Sequence, residues 1–174
     1  MAFLQRFLKY ITLINEQLGK IAGWVALAMV LIVTLDVIMR YLFNLTFVCV
    51  QELEWHLFGV LFLLGAGYTL AHDGHVRVDI FYQRLNKRQQ AWINLIGVIV
   101  FLLPGCFLVV DTSYNFFLNS LHMQEGSPDP GGLPARYVLK FFIPFSFVMV
   151  GLQGVALGLK SLLIILGHEE EESK

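Results

Sequence analysis

The residues best suited to chemistry lie close together between positions 72 and 84. Four side chains there could ligate a metal ion, because imidazole and carboxylate groups are common zinc ligands. They are His72, Asp73, His75 and Asp79. Two histidines with two residues between them, on a loop and without a further ligand at a fixed spacing, form a weak pattern for a metal site. Hydrogen bonds at a solvated helix end explain the same residues, so we expect no metal ion here.

Other catalytic patterns are incomplete. The sequence holds no nucleophile–base pair, no P-loop and no nucleotide fingerprint. Asp73-Gly74 followed by Arg77 resembles part of a phosphatidyltransferase motif, but the further aspartates that such an enzyme needs are missing. A b-type haem needs two facing histidines within the bilayer, and only His56 falls inside a predicted span, near its edge. We therefore predict no catalytic residue and no cofactor.

The composition is that of a membrane protein. Of the 174 residues, 57% are hydrophobic and only 14% are charged, against about 25% charged in ordinary soluble domains. The mean hydropathy is +0.68. The formal net charge of −1 gives no reason to expect a nucleic-acid partner.

Four apolar segments are each close to the ~20 residues that a helix needs to cross a bilayer. We predict an all-α membrane protein of four transmembrane helices, with an N-terminal amphipathic interfacial helix and a short cytoplasmic helical elbow. The interfacial helix covers residues 1–19, and its polar face includes Arg6, Lys9 and Asn15. The transmembrane domain covers 20–166, and 167–174 form an acidic cytoplasmic tail. The predicted spans are about 21–39, 53–71, 92–110 and 141–166.

Charged residues at the ends of the first two spans have local explanations. Asp36 and Arg40 are four residues apart near the end of the first span, so they share a helix face and can pair. Glu52 and Glu54 fall in the first predicted turn of the second span, where the helix macrodipole favours acids.

Further along, Asn86 with Gln89 matches a capping box for the third span. Pro104 lies inside that span and should kink it. The connection at 116–136 contains the run Glu125 to Pro134, which is too rich in proline and glycine for a helix or strand.

The distribution of Lys and Arg predicts the orientation in the membrane. With both termini in the cytoplasm, the inner segments hold nine of these residues and the outer segments hold Arg40, Arg136 and Lys140, as the positive-inside rule requires. The outer loops are then candidate contacts for a soluble partner, through Arg40, Glu52, Glu54, Asp129 and Arg136. The elbow residues are expected to fix the fold or to contact membrane phospholipid headgroups, which basic side chains attract. They are His75, Arg77, Asp79, Arg84, Lys87 and Arg88.

At the elbow the chain resembles the small membrane subunit of tripartite ATP-independent periplasmic (TRAP) transporters, the DctQ-like family. The most specific matching residues are Gly74-His75-Val76-Arg77-Val78-Asp79. Arg40-Tyr41-Leu42-Phe43, Glu52, Gly65-Ala66 and Tyr68 match as well, and the four-span plan extends the resemblance over nearly the whole chain.

The resemblance implies a scaffold in the inner membrane of a bacterium. Its partners would be a large multi-span subunit, sodium-coupled and moving as an elevator, and a periplasmic substrate-binding protein that delivers an organic acid. The alternative functions that the residues leave open are the membrane anchor of a redox complex, which would carry haem, and a small membrane enzyme.

Overall fold

The protein is all-helical, as predicted. The computed structural model describes residues 2–72, 82 and 85–167, with side chains from Arg6 onward, and contains no strand within those ranges. The helices are α1 (Ala2–Phe43), α2 (Val48–Ala71), α3 (Lys87–Gly97), α4 (Leu103–His122) and α5 (Tyr137–Ile165), and a π-helical turn at Val98–Leu102 joins α3 to α4. With α3 and α4 counted as one span, four helices are long and apolar enough to cross a membrane.

The N-terminal amphipathic segment continues into the first span without a break. Helix α1 has 42 residues and is therefore about 63 Å long. Ile11, Asn15 and Ala22 are buried along one side of it. Asn15 is expected on the polar face of the interfacial helix, away from the other helices, and that expectation is wrong. Its amide donates to Gln153 of α5 instead, with an Nδ2–Oε1 distance of 3.1 Å.

Helix α5 occupies the centre of the bundle and packs against all the other helices. In the most apolar 18-residue stretch of α5, 33% of the residues are buried, against 11% in the corresponding stretch of each other span. Two glycines, Gly154 and Gly158, face the π-helical turn, where an added Cβ would lie 2.2 Å from Leu102 Cδ2 and 3.3 Å from Val98 Cγ1, respectively. The GxxxG spacing therefore allows close contact between α5 and the third span.

The third span accommodates its proline with a change of helix type. Pro104 has no N–H and its ring crowds the preceding turn of an α-helix. The π-helical turn at Val98–Leu102 lies directly before it, and Leu103 N–H donates to Val98 O, five residues back. At the start of the span the predicted capping box is confirmed, with Asn86 and Gln89 each accepting from the other's backbone N–H.

The helices extend further toward the predicted periplasmic side than the sequence indicates. Helix α2 begins at Val48, so Glu52 is its fifth residue and lies beyond the first turn. Glu54 is the seventh residue. The macrodipole explanation of Glu52 and Glu54 is therefore wrong, because the unpaired N–H groups that favour an acid belong to the first four residues. Helix α4 continues to His122, which shortens the long connection to residues 123–136.

Candidate functional site

The most highly connected polar side chain among the described residues is Glu52. It lies near the N-terminal end of α2 and is only 4% exposed. A carboxylate at this depth needs partners, since burying an unpaired charge is costly. The partners come from residues 127–136, which belong to the connection between α4 and α5.

Three groups of that connection donate hydrogen bonds to the Glu52 carboxylate. Ser127 Oγ lies 2.5 Å from Oε1, the backbone N of Leu133 lies 2.6 Å from Oε2, and Arg136 Nη2 lies 2.9 Å from Oε1. We call these four residues the Glu52 latch. Bonds to an ionised acceptor are the strong class of hydrogen bond, so the latch fixes the connection onto α2.

The shape of the connection depends on a glycine beside the latch. A Cβ at Gly132 would lie 2.3 Å from Ser127 Oγ and 2.7 Å from Glu52 Oε2. Gly132 N–H donates to Asp129 O at 3.0 Å, which closes the turn that brings Ser127 and Leu133 together. The absence of a side chain at position 132 therefore leaves room for the Glu52 carboxylate.

Arg136 has a second partner on α2. Its guanidinium carbon lies 5.5 Å from the centre of the Trp55 ring, a cation–π distance. Trp55 follows Glu52 by three residues and so lies on the same side of α2. One face of α2 thus supplies both an anion and an aromatic ring to Arg136.

A second ion pair, between Glu125 and Lys140, joins the start of the connection to the first turn of α5. The hydrogen bond from Lys140 is the main reason why the pKa of Glu125 is lowered from its ordinary value. Lys140 Nζ also lies 4.0 Å from the centre of the Phe116 ring on α4. In the backbone, Arg136 N–H donates to Glu125 O at 2.8 Å and Ser127 N–H to Leu133 O at 2.9 Å. The connection is therefore a compact, hydrogen-bonded cap over the ends of α4 and α5.

The predicted pair on α1 is confirmed. Arg40 and Asp36 form a salt bridge in which the Asp36 side chain is 3% exposed and the Arg40 side chain is 43% exposed. Arg40 therefore neutralises a buried acid and still presents part of its side chain at the surface.

The outer candidate residues thus divide into two groups. Glu52 and Arg136 contact each other, and a Glu54 carboxylate oxygen (Oε1) is buried without a partner among the described residues. Asp129 is exposed at the turn of the connection, and Arg40 is partly exposed at the end of α1. The side chains of the second group are accessible to a soluble protein, whereas Glu52 and Arg136 hold the connection to α2.

Four elbow candidates lie outside the described residues: His75, Arg77, Asp79 and Arg84. The predictions for these four side chains stay predictions. Lys87 and Arg88 are described; both are exposed in the first turn of α3.

Sequence reasoning missed the partners of Glu52. Ser127 and Gly132 lie in a run that the sequence predicts only as a loop, and Leu133 contributes a backbone group that has no sequence signal. The pairing with Arg136 did have a signal, because an acid opening the second span and a base preceding the fourth lie on the same side of the membrane. That topology places the two charges at the same end of the bundle, but it does not distinguish Arg136 from Arg40 or Lys140 as the partner of Glu52.

The charged side chains at this end of the bundle stabilise the structure by pairing with one another. The acids and bases of the latch and of the two ion pairs are used by one another, and no cluster of three or more potential metal ligands occurs within the described ranges. His56 Nδ1 lies 2.6 Å from the backbone O of Glu52, so one ring nitrogen of this histidine is already engaged.

Comparison with known proteins gives two matches. The family described as "Tripartite ATP-independent periplasmic transporters, DctQ component" matches residues 29–162. A Haemophilus influenzae protein described as a TRAP transporter small permease protein is 30% identical over 121 residues, which are 69% of this chain and 74% of that protein. The first match contains α2, the third span and the latch.

Proposed function

This chain belongs to the DctQ component family of TRAP transporters, and we propose that it is the scaffold on which a large sodium-coupled elevator subunit moves an organic acid. The family is one of transport components rather than of enzymes, and the chain is a TRAP transporter small subunit. The scaffold role is the further step, and three features support it.

The first feature is the use of charge within the spans. A transport pathway through a membrane needs ionisable or polar groups that face a cavity. In the described spans the buried acids Asp36 and Glu52 are each paired with an arginine, and both lie toward the same end of the bundle. This arrangement supports a chain without its own substrate or sodium site, and it is the observation on which the proposal chiefly rests.

The second feature is the large apolar surface outside the bundle. Most side chains of α1 and of the third span are exposed, including Trp24 at 72%, Phe101 at 75% and Phe107 at 74%. In the membrane such surfaces contact lipid or another subunit. A large multi-span subunit can cover part of this apolar surface. The small bundle would then widen the part of the transporter that stays fixed in the membrane.

The third feature is the rigid outer connection. A soluble periplasmic substrate-binding protein docks best on a surface that does not need to be ordered on binding, because ordering costs affinity. The Glu52 latch supplies such a surface, and Asp129 and Arg40 are the charged groups that it leaves accessible. Glu52 and Arg136 then affect docking by holding the connection in place.

The substrate class follows from the resemblance and is tested by uptake. Cells that keep the large subunit and the binding protein but lack this chain are compared with complemented cells, using labelled C4-dicarboxylate, 2-oxo acid and sialic acid, each with sodium or choline outside. We expect uptake of at least one acid only in complemented cells with sodium. Uptake that is independent of the chain would contradict the scaffold role, and equal uptake in choline would contradict sodium coupling.

A further inference from the structure

An apolar cavity of 640 Å³ lies between the inner end of α2, the third span and α5. Its wall includes Leu70 of α2, Val98 and Phe101 of the third span, and Leu157 of α5. Its size falls within the range of about 300–1,000 Å³ typical of small-ligand pockets. The cavity is at the opposite end of α2 from the Glu52 latch, so it is independent of the site described above.

The polar groups of this cavity are confined to one end. Asn94 Nδ2 donates to Tyr82 Oη at 2.9 Å, and both residues line the cavity. On α3, Gln90 Nε2 donates to Tyr82 O at 3.0 Å and to Leu85 O at 3.1 Å, which holds these two residues against the helix. The cavity therefore has a hydrogen-bonded mouth and a hydrocarbon interior.

A basic residue lies beyond the mouth on the same face of α3. Lys87 precedes Asn94 by seven residues, and seven residues are close to two full helical turns. Lys87 is exposed in the first turn of the helix. Arg88 is also exposed, but it lies about 100° further round the helix and so away from the cavity.

The spacing of the basic residue, the polar mouth and the apolar interior along the helix matches the thickness of one leaflet of a bilayer. From Lys87 to Phe101 the helix rises about 21 Å, and from Asn94 to Phe101 about 10 Å. The hydrocarbon of one leaflet is about 15 Å thick. A basic group, a polar mouth and an apolar interior thus follow one another in the same order as the phosphate, glycerol and acyl regions of a lipid.

We propose that this cavity binds one acyl chain of a glycerophospholipid, with the phosphate of that lipid near Lys87. A transmembrane helix of a partner is the wrong size for it, because a helix about 10 Å wide would fill this volume within about 8 Å of its length. An acyl chain is much thinner, and it is present at high concentration on every side of a membrane protein. Bound there, it completes the packing between α2, α3 and α5.

One glycine makes the proposal testable without disturbing the fold. Gly97 lines the cavity, and a Cβ at this position meets nothing within 4 Å. The substitution Gly97→Leu therefore occupies the space meant for the acyl chain. Gly105→Leu is its matched control, because Gly105 lies on the same span, does not line the cavity and also has open space around an added Cβ.

The measurement is native mass spectrometry of the purified full chain titrated with dioleoylphosphatidylglycerol, with circular dichroism to confirm that each variant is folded. We expect Gly97→Leu to weaken binding of the first lipid more than about tenfold, since each methylene kept out of an apolar site costs roughly fourfold. Gly105→Leu should bind like the unchanged chain. Lys87→Gln should weaken binding about fivefold, while Arg88→Gln should have a much smaller effect.

Equal lipid affinity in the Gly97→Leu and Gly105→Leu proteins would overturn the proposal. It would show that the lipid binds adventitiously and not in the cavity. A photo-crosslinking residue at position 93, which also lines the cavity, gives a second readout in the assembled transporter. Crosslinks to phospholipid support the proposal. Crosslinks to a polypeptide instead would identify the cavity as a subunit contact and overturn it.

Discussion

Glu52 and Arg136 are 84 positions apart in the chain, and their side chains meet at 2.9 Å. This contact ties the N-terminal end of α2 to the residue that precedes α5, across a connection that itself donates two further hydrogen bonds to Glu52. One carboxylate on α2 thus holds three groups of the connection between α4 and α5.

Loss of that carboxylate should loosen the whole connection. We expect Glu52→Gln to lower the unfolding temperature of the detergent-purified chain by roughly 5 °C, because the amide cannot accept all three hydrogen bonds and leaves Arg136 without its anion. Asp129→Asn, at an exposed acid of the same connection, should change it very little. Unfolding is measured by intrinsic tryptophan fluorescence.

Gly132→Ala provides a second route to the same result. Its Cβ would overlap Ser127 and Glu52, whereas a Cβ at Gly126 has only Pro134 Cα nearby, at 3.8 Å. Gly132→Ala should therefore destabilise the chain and Gly126→Ala should not. The double variant Glu52→Gln/Gly132→Ala should be only slightly less stable than either single variant, because both changes disrupt the same contacts. Fully additive effects would show that the latch does not act as one unit.

The contact between α1 and α2 depends on a glycine that faces a buried amide. A Cβ at Gly67 would lie 2.1 Å from Asn15 Oδ1, and Asn15 is 1% exposed. We expect Gly67→Ala to lower the free energy of unfolding by about 1–3 kcal/mol, the usual cost of overpacking. Unfolding in sodium dodecyl sulfate, followed by circular dichroism, measures it.

The matched control for this change is Gly65→Ala, where an added Cβ meets nothing within 4 Å. Equal destabilisation by the two substitutions would contradict the packing of α1 against α2 described above.

The Glu125–Lys140 pair should make part of the stability depend on pH. Lys140 lowers the pKa of Glu125 in the folded chain, so in acid the unfolded chain binds the proton more readily. The stabilisation is therefore present above the ordinary glutamate pKa of about 4.3 and disappears as the pH falls through the lower folded-state value.

Glu125→Gln isolates this contribution, since the other carboxylates are common to both proteins. At pH 7 the unchanged chain should unfold at a higher temperature than the variant, and at pH 3 to 4 the difference should shrink. A difference that stayed constant with pH would show that the pair does not stabilise the fold through its charge.

The predicted orientation can be tested with single cysteines. In a chain with Cys49 and Cys106 replaced by serine and alanine, respectively, a cysteine at position 129 should react in intact cells with a maleimide that cannot cross the membrane. A cysteine at position 87 should react only after the membrane is opened. The reverse pattern would place the Glu52 latch in the cytoplasm and contradict the proposed docking surface.

The sequence alone predicts the helical fold well, because a bilayer imposes a minimum length of apolar residues on each span. It also predicts the Asp36–Arg40 pair and the Asn86–Gln89 capping box, since both depend on short, fixed spacings. Helices α2 and α4 extend beyond the predicted spans, because a helix can continue outside the hydrocarbon and polar residues there do not mark its end.

What could not be predicted depends on contacts between distant parts of the chain. The burial of Asn15 requires Gly67 and Gln153 to be placed opposite it by packing, and hydrophobic periodicity in the N-terminal segment carries no sign of that. The role of Glu52 depends on a backbone N–H at Leu133 and on the missing side chain of Gly132. Such partners are defined by the path of the connection and not by any local pattern.

The most direct test of the scaffold role is purification of the tagged chain from its native membrane in a mild detergent, with mass spectrometry and a visible absorption spectrum. We predict that a larger multi-span transporter subunit co-purifies in a constant ratio and that no haem absorbance accompanies it. A haem band with a redox partner, or a chain that purifies alone and transports an organic acid by itself in vesicles, would contradict the account.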